Sequence, residues 1–470
     1  MLAIAFDTNS LISQLDIRLA AALRHCDKVA DLGLLSITLA LPELTCLQFT
    51  EMARGSIYWS NPEEQHQRIA IGRAASIKTR GNTRFERLER RFNTLCTTWH
   101  QLDPENVGNP TYAFVGFSFN PNEGIHHAWR GFSNACIHVP SVLLERKGVV
   151  CNVTFTARFG MGRDVDKIRY AWLREAQHLF ERITCFNPPG YSPPNALHRI
   201  ADEPSKEEWL VRVNTALQAI NRGTFKKVVL ARRVRVASRR PLQPARTLSW
   251  LATQYAGGVQ FAYTTAHSCL IGASPERLVS LRGEKVVSDA IAGTVRCELA
   301  AEHNRKLGYH LFSDHKARYE QDLVVKSIMR ALDPLCVRVN APVEPQLLES
   351  ARVQHLWSPI HGRVKRGVSL LRLASNLHPT PAVGGTPCAP AIAWLEAKER
   401  EQRGWYTGAL GWMTPNGGGE LVVILRCALL RNNIADLFAG AGIVRDSNPR
   451  AELAETEWKL QTMLEALAAT

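Results

Sequence analysis

The 470-residue sequence predicts a mixed α/β (α+β) protein, and three observations carry that prediction. Apolar and polar residues alternate in stretches such as "FKKVVLARRVRV" at 225–236, the period-two pattern of a strand with one polar side. Elsewhere apolar residues recur at helical spacing, as Trp209, Val213, Ala216, Leu217 and Ile220 do. The two patterns alternate along the chain, as in a layered enzyme.

From the N-terminus, "MLAIAFDTNS" lacks the basic segment, long apolar stretch and small-residue cleavage site of a secretory signal, so a cytoplasmic location is expected. The longest nearly apolar stretch, "LGLLSITLALP" at 32–42, is shorter than the roughly 20 residues a membrane span needs, and no membrane partner is expected. "RFERLERRF" at 84–92 interleaves arginines with glutamates and reads as a solvated helix face. At 187–205, "NPPGYSPPNALHRIADEPS" places five prolines where regular structure is not expected. It divides a lobe at 1–186 from a region at 205–470, with 187–204 as the connection.

Ser205 and Glu208 then have capping-box spacing, and Gly223 closes a helix of about four turns. Strands follow in 225–236 and in "CLIGASPERLVSLRGEKVVSDA", with turns at Gly272–Pro275 and Gly283. Helices return in "SDHKARYEQDLVVKSIMRAL" and "NPRAELAETEWKLQTMLEAL". Between them lie further strands, including "GELVVILRCALL" and "ADLFAGAGIV".

Composition narrows the function. The eleven cysteines are dispersed with no CxxC pair, which argues against a disulfide framework or structural zinc site. The net charge of +14 suits nucleic acid, an acidic membrane surface or a small anionic substrate. No zinc-finger, RNP or basic-zipper pattern accompanies it, and "ARRVRVASRR" at 231–240 reads as a strand, so no nucleic-acid partner is expected. "AGAGIV" lacks the third glycine of a dinucleotide fingerprint, no GxxxxGK[ST] occurs, and Ser274 lies in GASPE rather than GxSxG.

Carboxylate spacing is more informative. Glu452, Glu455 and Lys459 share one face of the last helix, beside an apolar face of Leu453, Leu460, Leu464 and Leu467. Two carboxylates beside a buried stripe call for a cation. An ion pair with Lys459 answers that need, and so does a hard divalent ion such as Mg²⁺, with Glu320 on the other helix as a facing ligand.

The segments "FKKVVLARR", "IGASPERLV", "AIAGT", "KARYEQDLVV", "VQHLWSPI", "LHPTPAVGGTP", "RGWYTGALGW", "GELVVILRCAL", "FAGAGIV" and "ELAETEWK" occur in the order expected of the chorismate-utilising enzymes, which include the component I chain of anthranilate synthase. The sequence resembles the isochorismate synthases most. The likeness is strong over 205–470 and weaker over 1–186, where "FVGFSFNP" and "HVPSVLLERKG" carry it.

That resemblance implies two packed antiparallel sheets with helices outside, so the proline-rich connection separates lobes of one unit. It also implies a monomeric, Mg²⁺-dependent isomerase acting on chorismate, in which water adds at C2 while the C4 hydroxyl leaves. By motif match Lys227 is the base for water and Glu276 of "SPERL" the acid for the leaving hydroxyl. Glu276 must then carry a proton and Lys227 must not, although free lysine titrates at about 10.4. Glu320 and Glu455 match the Mg²⁺ ligands, with Glu452 acting mainly through water. Tyr406 and Arg426 match the pair that grips the side-chain carboxylate, with Gly442 amides assisting. Ala292, Gly293 and Thr294 match the loop under the ring, and His355 a ring-side polar contact; Lys459 joins the substrate-binding set.

Lys227 favours water over ammonia as nucleophile, and Ala292 argues against the aminodeoxychorismate branch. Isochorismate is the expected product, with onward elimination of pyruvate to salicylate as the alternative. The pathway served is menaquinone or siderophore biosynthesis. Two positions depart from the family pattern: Ala317 stands where an acidic residue is usual and Gln321 where histidine is. Loss of that acid predicts weakened Mg²⁺ binding and leaves a chorismate-binding or regulatory subunit as a further alternative.

Overall fold

A computed structural model describes residues 7–24, 33–42, 55–108, 112–124, 127–160, 164–184, 194–255, 257–297, 301–349 and 353–469. The start of the N-terminal segment read for a signal, and residues 187–193 of the proline-rich connection, lie outside the described residues.

Strands from the two ends of the chain are joined into the same two sheets, which among the described residues have 13 and 10 strands. In the larger, Val259–Thr264 pairs antiparallel with Ile57–Asn61. In the smaller, Ala409–Met413 pairs antiparallel with Ala113–Phe117. The sheets face each other across a layer to which the larger contributes Trp59, Phe261, Leu270 and Leu429, and the smaller Phe114, Leu410 and Val422. This is the packed-sheet arrangement that the family resemblance implies.

Helices cover the outer faces. Thr8–Leu23, Val165–Thr184, Pro244–Gln254 and Pro449–Ala468 bury apolar stripes against the larger sheet. Arg84–Cys96, His315–Leu332 and Leu370–Leu377 do so against the smaller. Among the described residues no helix is long and apolar enough to cross a membrane, and the eight described cysteines are free thiols.

The helix Lys206–Asn221 forms with the expected capping box: Ser205 Oγ accepts from the Glu208 amide, and the Glu208 carboxylate accepts from the Ser205 amide. Strand Lys227–Ser238 shows the expected alternation of buried and half-buried residues. The C-terminal pair of helices runs His315–Leu332 and Pro449–Ala468, started by side-chain caps from Asp314 and Asn448.

Three sequence expectations are corrected. Residues Leu197–Glu203 form a strand on the edge of the larger sheet, paired with Lys227–Ser238. The segment is free of proline between Pro194 and Pro204, so nothing blocks its pairing. The segment "GELVVILRCALL" is two strands, Gly419–Val423 in the smaller sheet and Cys427–Arg431 in the larger. Periodicity shows that residues are extended without showing which sheet they join. In "RFERLERRF", Arg84, Phe85, Leu88 and Phe92 are buried, and the Arg84 guanidinium bonds Ser118 and Asn134, so only part of that helix is solvated.

Candidate active site

The chain crosses between sheets at Pro275 and Glu276, from strand Cys269–Ser274 in the larger to Arg277–Arg282 in the smaller. Ser274 stabilises the crossing, donating from Oγ to the Val423 carbonyl and accepting the Glu276 amide at 3.3 Å. Glu276 is thereby held with its carboxyl in the wall of a cavity between the sheets. It is buried, and its Oε1 has no hydrogen-bond partner. Burial, with Asp289 adding, pushes its pKa up to about 8, against the opposing pull of Lys227, Arg426 and Lys459. This carboxyl holds a proton at neutral pH and has a free oxygen at the cavity.

Arg426 stands at the other crossing, between Gly419–Val423 and Cys427–Arg431, with a left-handed φ of +45°. An L-residue with a large side chain takes that conformation only when its surroundings enforce it. Here it turns the guanidinium into the cavity. Arg426 is buried, its Nε has no partner, and its Nη2 donates to His355 Nε2 at 3.1 Å. Burial, with Arg426 and Lys459 adding, drives the His355 pKa well below its ordinary value. The neutral ring therefore carries its proton on Nδ1, which faces the Gly293 carbonyl at 3.3 Å and Thr294 Oγ1 at 3.1 Å.

Gly293 is a bulge: the register of Lys285–Arg296 against Val353–Val364 slips between Ala292 and Thr294, and Gly293 has φ +65°. The bulge brings all three residues to the cavity wall. Tyr406 is buried there, stacked on Phe438 at 5.3 Å between centroids, and burial keeps its hydroxyl protonated as a donor.

The other end is charged. Lys227 Nζ lies 2.9 Å from Glu320 Oε1, Lys316 Nζ 2.5 Å from Glu452 Oε1 and Lys459 Nζ 2.6 Å from Glu455 Oε1. Lys459 also donates to the Gly440 carbonyl. Burial disfavours the Glu320 carboxylate, but Lys227, with Lys316 and Lys459 behind it, outweighs burial and holds its pKa below the ordinary value. Glu452 goes the other way, raised by burial and by Glu455 against the opposing Lys316. Gly442 makes room for the first pair, since a Cβ there would meet Glu320 Oε1 at 2.3 Å.

The cavity wall thus brings together Glu276, Ala292, Gly293, Thr294, His355, Tyr406, Arg426, Gly442, Lys459, Glu320 and Glu455. Lys227 and Glu452 stand outside the lining: Lys227 pairs with Glu320, which lines the cavity, and Glu452 with Lys316, which does not. Sequence reading missed Lys316, although its i, i+4 relation to Glu320 puts both on one helix face. It also missed Thr407, a second residue with left-handed φ, and Ala382 and Val383, which add apolar wall. The two departures have structural roles. Ala317 packs beneath Gly293, and Gln321 donates to the Ala290 carbonyl and Ser358 Oγ at 3.0 Å each.

Among the described residues no group of three or more His, Cys, Asp or Glu is already gathered about one metal position. The donor set nevertheless suits a hard divalent cation. Glu452 and Glu455 repel each other, and the Lys316 ammonium interacts with both and with Glu320. That ammonium stands in for a cation among three oxygen-donor side chains, the ligand type Mg²⁺ takes.

The sequence profile of the family described as chorismate binding enzyme matches residues 21–468. The chain is 34% identical over 422 residues to the salicylate biosynthesis isochorismate synthase of Pseudomonas aeruginosa, covering 88% of this chain and 85% of the relative. It is 32% identical to the isochorismate synthase MenF of Bacillus subtilis, covering 87% of each. A crystal structure of a putative 2,3-dihydroxybenzoate-specific isochorismate synthase, DhbC, from Bacillus anthracis superposes with a TM-score of 0.70 at 27% identity, over 89% of this chain and 98% of that one. With a family match over nearly its whole length and relatives this similar over most of theirs, the chain belongs to the chorismate-binding enzyme family.

Proposed function

We propose that this protein is an isochorismate synthase, an isomerase that moves a hydroxyl on the ring of chorismate. The observation that carries the reading is Glu276: a buried, protonated carboxyl with a free oxygen, in the same cavity wall as an arginine that has no carboxylate partner among the described residues. A dianionic ring bearing a hydroxyl leaving group suits that pair. Arg426 and the Tyr406 hydroxyl take one carboxylate, and Glu276 gives its proton to the departing C4 hydroxyl. Lys227, whose Nζ lies beside Glu320, is the base that takes a proton from the attacking water. The His355 Nδ1 proton and the Thr294 hydroxyl fix the bulge under the ring.

Glu320 and Glu455 would hold Mg²⁺, with Glu452 behind them, and the ion would polarise the ring carboxylate as a Lewis acid. We also propose that it acts as a monomer and in the cytoplasm. The names of the relatives support isochorismate as the product and point to both menaquinone and siderophore pathways.

The test is a proton NMR time course with chorismate and millimolar Mg²⁺, with and without ammonium. Isochorismate rising to a plateau beside chorismate is expected. Salicylate with equimolar pyruvate would reassign the product, and an ammonium-dependent product would overturn the role of Lys227. Ala317 favours a second reading, a chorismate binder without turnover, in which Lys227→Ala changes nothing. In the enzyme that variant abolishes water addition. Ala317 also predicts weak Mg²⁺ binding by titration calorimetry, and a sub-micromolar dissociation constant would refute that.

A further inference from the structure

Behind the turn that carries Glu276 lies a carboxylate that does not line the cavity. Asp289, on strand Lys285–Arg296, is 6% exposed. Its Oδ2 accepts the Arg277 amide at 3.2 Å, which is the peptide that joins Glu276 to Arg277. Its Oδ1 accepts the Trp357 indole N–H at 3.0 Å, and Arg277 Nη1 is 3.8 Å from Oδ2. Both oxygens thus face donors alone, which is the hydrogen-bonding pattern of an ionised carboxylate. Burial leaves the pKa of Asp289 above its ordinary value, with Arg277 and Trp357 opposing the rise in part, so its negative charge rests on the two donor-facing oxygens.

A fixed negative charge in this place matters because of what else faces Glu276. Lys227, Arg426 and Lys459 all favour its ionised form, and an acid facing three cations tends to lose its proton. Burial opposes them, and Asp289 is the charge that does. The hydrogen bond to the Arg277 amide also fixes the backbone from which the Glu276 side chain projects.

We propose that Asp289 is a positioning residue of the reaction: by gripping the peptide after Glu276 and placing a negative charge behind it, Asp289 keeps that carboxyl aimed and in its proton-donating form. The proposal rests on the reading of Glu276 as the acid. An isosteric amide keeps the shape and one acceptor oxygen but sets an NH2 against the second donor, so Asn removes the charge together with one hydrogen bond, and Glu returns the charge.

The experiment is difference infrared spectroscopy of the metal-free protein against Glu276→Gln, which isolates the protonated carbonyl band of Glu276. In the wild type the band should vanish as pH rises, with a midpoint of about 8. In Asp289→Asn the midpoint should fall by about one pH unit, the scale of a neighbouring like charge, and Asp289→Glu should restore it. The alkaline limb of kcat/KM should move in parallel. A folded Asp289→Asn protein with an unmoved midpoint overturns the proposal. If Asp289→Asn does not fold, Asp289→Ser removes the same charge and should lower the midpoint in the same direction; an unmoved midpoint in that folded variant overturns the proposal equally. Full turnover by Glu276→Gln would instead overturn the reading of Glu276 as the acid, and the infrared midpoint is read without turnover.

Discussion

A methyl group at position 442 would stand 2.3 Å from Glu320 Oε1 and 2.9 Å from Lys227 Cε. Both contacts are with the ends of side chains, so the fold can absorb the clash while the Lys227–Glu320 pair cannot keep its place. Gly442→Ala is therefore expected to unfold within a few degrees of the wild type and to lose turnover by about tenfold or more, by analogy with losses of groups that orient a metal site. Calorimetry and a chorismate assay check the two halves. The acid supplies a second prediction. With its pKa raised to about 8, Glu276 is protonated below that pH and loses its proton as pH rises through it, so the activity it supports is retained at neutral pH and falls on the alkaline side. A kcat/KM profile still rising well above that pH would contradict the assignment. At this scale the candidate residues Lys227, Glu276 and the glutamates were legible because each sits in an ordered motif, and so was the Lys459–Glu455 pair on one helix. The pairings between elements were not, since Lys316 and Glu452 are 136 residues apart in sequence and meet only through the fold.

The element that carries the proposed substrate grip is a break rather than a helix or strand. Between Gly419–Val423 and Cys427–Arg431 the backbone leaves one sheet and enters the other, and Arg426 takes the left-handed conformation that makes the passage. Holding a non-glycine residue there costs about 1 kcal/mol or more, and a buried cation without an ion pair adds to the cost. Arg426→Gly relieves both. It should raise the melting temperature while raising the KM for chorismate by about a hundredfold, the loss of a charged contact worth roughly 2.7 kcal/mol. A melting temperature that falls along with affinity would show that the guanidinium holds the sheets together rather than waiting for a ligand. Sequence pattern could not show this break, because Arg426 alone interrupts the apolar run "LVVILRCALL" and no glycine or proline marks a turn there.

For the whole molecule, the proline-rich stretch looks like a domain boundary in the sequence and separates nothing in the sheets. Val259–Thr264 is hydrogen-bonded to Ile57–Asn61, and Ala409–Met413 to Ala113–Phe117, so each sheet continues from one lobe into the other. The layer between them mixes the lobes again: Trp405, from the C-terminal region, packs on Phe132 and donates its indole N–H to the Ser133 carbonyl. Removing 1–204 would leave those strands with unpaired edges and strip the cover from fully buried residues such as Phe261, Trp405 and Leu410. An exposed edge and an apolar patch of that size favour aggregation. The fragment 205–470, although it contains every candidate site residue, is therefore expected to be insoluble or unfolded, and the full chain to melt in a single calorimetric transition. A soluble 205–470 fragment that bound chorismate, or two separate transitions in the full chain, would make the lobes independent after all. The sequence signal is weakest where this dependence arises, because no described residue of 1–186 lines the cavity and those residues complete the sheets, which apolar residues can do in many combinations.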